Sequence, residues 1–150
     1  MAKKKTSQRG LFAIALLRIS LGLIFLWAFF DKLLGLGYST CRDKATNVVT
    51  TMCDKAWLSG GSPTDGYLKS NKGTFNSFYN GLAGKQWVAW LFMAGLLLIG
   101  IALVLGIGIR VAAVTGSILL FMMWAASLPL STNPVLDDHI VYIFALFAVA

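Results

Sequence analysis

The sequence predicts an all-α polytopic membrane protein, a bundle of four transmembrane helices with a long extracytoplasmic loop between the first two. Two features of composition and one of patterning carry that prediction. Hydrophobic residues fill 57% of the 150 positions and charged residues only 13%, about half the charged share of a soluble domain, and mean hydropathy is +0.74. The chain has no glutamate, six aspartates and thirteen lysines and arginines, a net charge of +7; its apolar runs are too long for a soluble nucleic-acid binder, so the basic excess points to anionic lipid headgroups. Long apolar stretches meet the roughly 20 residues that a hydrocarbon core about 30 Å thick requires.

The first span is residues 11–30, "LFAIALLRISLGLIFLWAFF", with one charge, Arg18. It is not a cleaved leader, because "WAFFDK" offers no small-x-small cleavage site. A charge at the centre of a spanning helix costs roughly 2.5–3.5 kcal/mol on insertion scales. Arg18 therefore either snorkels to the nearer headgroups or faces the bundle interior, where it binds a quinone carbonyl, a lipid headgroup or a partner carboxylate. Gly22, one turn on, is expected to leave space beside it.

Residues 31–85 form the long loop. Its "SGGSPTDG" run is dense in turn chemistry. In "GTFNSFYNGLAG", Thr74 is placed to cap a short helix over residues 75–82, and Phe75, Phe78, Tyr79 and Leu82 recur at i, i+3, i+4 and i+7. One aromatic face suits a helix lying on the membrane surface or lidding the bundle.

The second span, residues 87–105, and the third, residues 111–128, carry no charge and form a tight hairpin turned by Gly106, Gly108 and Arg110. Pro129 stops the third. Ala102/Gly106, Ala112/Gly116 and Ala113/Ser117 place small residues one turn apart, which lets helix backbones approach. The fourth span is expected over residues 134–150, with Asn133 as N-cap, Pro134 at the first helical position and Asp137 and Asp138 near the positive end of the helix dipole. Only 11 apolar residues follow His139, about 17 Å of helix, so the fourth span is expected to be truncated in this sequence.

Orientation rests on two signals. Lys3, Lys4, Lys5, Arg9 and Arg110 fall on one side of the membrane; Lys32, Arg42, Lys44, Lys55, Lys69, Lys72 and Lys85 fall on the other. The rule that positive charge stays inside weakens for long loops, and the dense tail beside the first span dominates. The only two cysteines, Cys41 and Cys53, lie in the loop as a pair able to close a short ring, which needs an oxidising compartment. The expectation is a multi-pass protein of the cytoplasmic membrane with its N-terminus in the cytoplasm and Cys41–Cys53 as a structural disulfide outside.

Three stretches in order, "LLRISLGLIFLWAFFDKLLGLG", "AWLSGGSPTDGYL" and "NPVLDDHIVY", resemble the DoxX/DoxD-like membrane proteins over nearly the whole chain. The resemblance implies a single four-helix membrane domain spanning residues 1–150. It also implies a link to quinone-coupled redox chemistry, since DoxD-type members form the membrane part of thiosulfate:quinone oxidoreductase. A non-catalytic accessory subunit of a larger membrane redox or respiratory complex, or a homo-oligomer, is the alternative the same residues allow.

Candidate site residues follow from the polar groups at the span ends. Asp31 and Lys32 close the first helix, and Asp137, Asp138 and His139 open the fourth. In the expected topology they share one membrane face, where Asp31, Asp137, Asp138 and His139 are the catalytic candidates and Lys32 attracts anions. Histidine ordinarily titrates near neutrality and suits proton exchange with a quinone. The opposing reading is that the aspartates merely cap a helix and pair with Lys32. A single histidine excludes a bis-histidine haem, two cysteines hold no iron–sulfur cluster, and no glycine fingerprint for a flavin or nicotinamide appears. No metal site is expected, so electrons must pass through quinone, the cysteine pair or a partner.

Overall fold

A computed structural model describes residues 8–43, 45–70, 73, 75–130, 133 and 136–150. Six α-helices and one 3-10 turn make up its regular structure: α1 (Gln8–Leu34), the turn Trp57–Ser59, α2 (Asp65–Ser70), α3 (Asn76–Leu82), α4 (Gln86–Leu105), α5 (Ile109–Ala126) and α6 (Asp138–Val149). No strand occurs among the described residues. The α1, α4 and α5 helices are long and apolar enough to cross a membrane, whereas α6 is a shorter apolar helix. Thr74 and Pro134, named above as cap and first-turn residues, lie outside the described residues, as do Lys3, Lys4, Lys5, Lys44 and Lys72.

The four apolar helices close into a ring, with α1 packed on α4 and α6, and α5 packed on α4 and α6. Consecutive helices run in opposite directions, which puts the C-terminal ends of α1 and α5 and the N-terminal ends of α4 and α6 at the loop end. Leu21, Phe25 and Phe29 of α1 meet Met93, Leu96, Ile99 and Leu103 of α4, with Leu120 and Leu146 completing the core. Outward faces are apolar as well, among them Leu23, Leu91, Leu98, Val111 and Ile118. Such an exterior suits hydrocarbon rather than water.

The α1–α4 contact is set by two glycines. A side-chain carbon at Gly100 would lie 2.7 Å from Leu26 Cγ and 3.1 Å from the Gly22 carbonyl; one at Gly22 would lie 2.7 Å from Val104 Cγ2 and 3.0 Å from the Gly100 carbonyl. The backbones thus cross directly, and Gly22 serves this crossing instead of opening room for Arg18. On the far side of the ring, Ala112, Ala113, Gly116 and Ser117 are all buried, and Gly116 receives the Leu146 side chain. Gly100→Ala is expected to lower stability by about 1–3 kcal/mol, read as a lower melting temperature of the detergent-solubilised protein.

Two helix boundaries differ from the sequence expectation for identifiable reasons. The α1 helix continues past residue 30 through Asp31 and Lys32 to Leu34, because the buried Asp31 carboxylate finds hydrogen-bond partners at Tyr38 and Ser39, and ends where Gly35 (φ 67°) takes the left-handed conformation. The α6 helix starts at Asp138, not at 134. Asp137 is its N-cap, with an extended backbone and a side chain that accepts from the His139 and Ile140 amides, a geometry aspartate fills as well as asparagine. Asn133 Oδ1 instead accepts from the Leu136 amide at 3.0 Å.

Candidate functional site

The loop-end tips of the helices carry two separate polar groupings. The first is built on α1. Asp31 is 1% exposed, and its carboxylate accepts from the Tyr38 amide (2.9 Å), the Ser39 amide (3.0 Å) and Ser39 Oγ (2.6 Å). Lys32 Nζ donates to Ser39 Oγ at 3.2 Å and stands 5.8 Å from the centre of the Phe92 ring. These contacts fold the chain after α1 back onto the helix tip. Asp31 and Lys32 therefore hold the loop, and neither lines the cleft described next.

The second grouping opens α6. Asp137 Oδ1 accepts from the His139 and Ile140 amides at 3.1 and 3.3 Å, while Oδ2 lies 2.6 Å from His139 Nδ1. One carboxylate thus caps the helix and orients the imidazole. When Nδ1–H donates to Asp137, Nε2 becomes the acceptor nitrogen, the arrangement in which an imidazole works as a general base. Asp138 is exposed beside it. Together with Ser127, Pro129, Leu130, Leu136 and Val141, these residues line a cleft of about 610 Å3.

The loop packs against the end of α5 next to Ser127, outside the cleft lining. Tyr67 of α2 donates its hydroxyl to the Met123 carbonyl (2.7 Å) and meets Ser127 Oγ at 2.6 Å, and Ser127 Oγ donates to the same carbonyl at 2.9 Å. Tyr79 of α3 donates to the Met122 carbonyl at 2.9 Å. The two tyrosines engage carbonyls in the last turns of α5, and the Met123 carbonyl also accepts from the Ser127 amide at 3.0 Å. Burial pushes both phenols above the usual tyrosine value, and the Asp137 carboxylate adds to the effect on Tyr67. Both hydroxyls therefore stay protonated donors at neutral pH. Tyr79 turns inward on α3 while Phe75 and Phe78 remain exposed, so the aromatic face read from the spacing is divided between the bundle and the exterior.

Sequence reasoning missed Tyr67 and Ser127. Tyr67 follows the "SGGSPTDG" turn directly, but nothing local connects it to a residue 60 positions away.

The remaining candidates lie elsewhere. Cys41 and Cys53 form a disulfide with Cα atoms 5.7 Å apart, in a small hairpin where Arg42 pairs with Val49. Arg18 is at the opposite end of the bundle, its guanidinium against Gly106, the left-handed residue ending α4. Among the described residues, no group of three or more histidine, cysteine or acidic side chains is arranged to hold a metal ion.

Compared with protein-family models, curated proteins and solved structures, the chain matches none.

Proposed function

We propose that this chain is a DoxX-like, quinone-linked redox protein of the cytoplasmic membrane, and that the Asp137–His139 pair exchanges the protons of quinone reduction at the loop face. The observation that carries the reading is the 2.6 Å contact between Asp137 Oδ2 and His139 Nδ1 in a cleft open at the helix tips. Apolar Leu130, Leu136 and Val141 on its walls suit a quinone ring.

In this reading α6 opens a fourth span, the N-terminus is cytoplasmic, and the 31–85 loop is outside. The Cys41–Cys53 disulfide supports that side for the loop, because such bonds persist in oxidising compartments. The basic loop attracts an anionic sulfur donor. Two thiosulfates joining into tetrathionate release two electrons; a quinone takes up those two electrons and two protons to give the quinol. His139 Nε2, oriented through Nδ1 by Asp137, passes the protons.

The test is turnover of a soluble quinone analogue with thiosulfate by protein purified in mild detergent. His139→Ala and Asp137→Asn are expected to slow it by about 100-fold, the lower end of general acid–base contributions. Asparagine is a fair N-cap, so Asp137→Asn removes the carboxylate while keeping the helix start. Unchanged rates in both variants would discard the proton-handling role. Co-purification with haem or iron–sulfur subunits, and no turnover without them, would assign the chain an accessory role instead.

A further inference from the structure

Arg18 has no acidic side chain near it. All six aspartates, at positions 31, 43, 54, 65, 137 and 138, belong to the loop or to the loop-end tips of α1 and α6, and there is no glutamate. Arg18 lies toward the other end, on the same side as Arg9 and Arg110. Its Nε is buried without a hydrogen-bond partner. Its guanidinium reaches the end of α4, where Gly106 has no side chain to obstruct it, and the partial negative charge of that helix terminus only partly compensates a full cation.

The depth of Arg18 in the membrane follows from the α4–α5 turn. Gly106 and Gly108 are left-handed at φ 76° and 62°, and Ile107 between them is 69% exposed. The Gly106 and Ile107 amides both donate to the Ala102 carbonyl, but the carbonyls that follow it at the end of α4 have no helical partner, and irregular backbone of this kind does not face hydrocarbon. The headgroup layer must therefore reach the turn. The α4 helix, 20 residues long, spans about 30 Å, the thickness of the hydrocarbon core, which is consistent with the turn marking its edge. Arg18 touches that turn, so it sits where lipid phosphates are.

The geometry also supplies a place for acyl chains. From Arg18 toward the bilayer centre, the outer faces of α1 and α4 expose Leu23, Ile24, Leu98 and Ile101, so a lipid whose phosphate meets Arg18 has apolar surface beneath it.

We propose that Arg18 is a phosphate-binding site that takes the phosphodiester of a membrane phospholipid, with the lipid's acyl chains running from it toward the bilayer centre along the outer faces of α1 and α4. Guanidinium and phosphate match as a charge-assisted, bidentate pair. The proposal is independent of any quinone chemistry at the other end of the bundle.

Native mass spectrometry of the full chain during stepwise delipidation tests it, with phospholipid and inorganic phosphate titrated back separately. The wild type is expected to retain and rebind a phospholipid, and Arg18→Gln to bind it roughly tenfold or more weakly. Arg18→Lys, which keeps the charge but not the fork, is expected to fall between them. Equal lipid retention by the wild type and Arg18→Gln overturns the site. Binding of inorganic phosphate without lipid overturns the lipid assignment. Should Arg18→Gln fail to fold, the lysine variant decides: weaker binding supports the site, and binding equal to wild type overturns the bidentate recognition.

Discussion

Asp31→Ala is expected to lower the unfolding free energy by about 3 kcal/mol, the scale for losing hydrogen bonds to a charged group. The carboxylate is 1% exposed and accepts from two backbone amides and one hydroxyl. Alanine removes all three acceptor contacts at once and leaves Lys32 with only Ser39 and the Phe92 ring beside it. Asp31→Asn should recover little, because its amide nitrogen would point a donor at donors. Ser39→Ala should cost less, about 1 kcal/mol, since both amide bonds survive. Chemical or thermal unfolding in detergent gives the ranking. A ranking with Asp31→Ala no worse than Ser39→Ala would mean that the tip of α1 does not organise the loop. Quinone turnover by folded Asp31→Asn is expected to persist, because Asp31 stands outside the cleft lined by Asp137, Asp138 and His139.

That separation shows what a sequence conveys and what it withholds. Apolar length identified the stretches that became α1, α4 and α5, because hydropathy is a property of consecutive residues. Asp31 and Lys32 read as a break in the first helix for the same reason, yet their partners, Tyr38 and Ser39, keep them helical. Asn133 read as a cap because the pattern N-P precedes an apolar run; Asp137 took the role because its side chain reaches two amides and the imidazole together. Pairing of Asp137 with His139 was within reach of sequence reasoning, being two residues apart. Tyr67 with Ser127, Gly22 with Gly100 and Arg18 with Gly106 were not, since each depends on how helices meet. The sequence placed Asp31 with the α6 residues because both belong to one face. The structure divides that face into a grouping that anchors the loop and a grouping that lines a cleft.

The second large effect concerns the loop hairpin. Replacing both Cys41 and Cys53 by serine is expected to cost about 3 kcal/mol, the chain-entropy value for a ring of this size, whose cysteines are 12 residues apart. Besides the disulfide, the hairpin is held by the Thr50 amide on the Cys41 carbonyl (3.1 Å), the Asp43 amide on the Val48 carbonyl (3.0 Å) and a tight turn in which the Ala45 and Thr46 amides donate to Asp43 Oδ1 and the Asn47 amide to the Asp43 carbonyl. Most of its residues are exposed. It is tied to the rest of the protein by the Met52 amide, which donates to the Leu34 carbonyl at 2.9 Å, by Arg42 Nε donating to the Gly37 carbonyl and Ser59 Oγ to the Met52 carbonyl, and by the Cys41 sulfur packed over Gly35. Loss of the bond should therefore loosen this hairpin and the end of α1 first. Amide exchange over residues 41–53 is expected to accelerate in the double variant, with exchange in α4 and α5 much less affected. Cleft chemistry should survive, because Ser127, Asp137 and His139 draw on α5, α6 and Tyr67, none of which the disulfide touches. If the double variant instead keeps its melting temperature and loses quinone turnover, the cysteines act in electron transfer and the structural assignment of the disulfide fails.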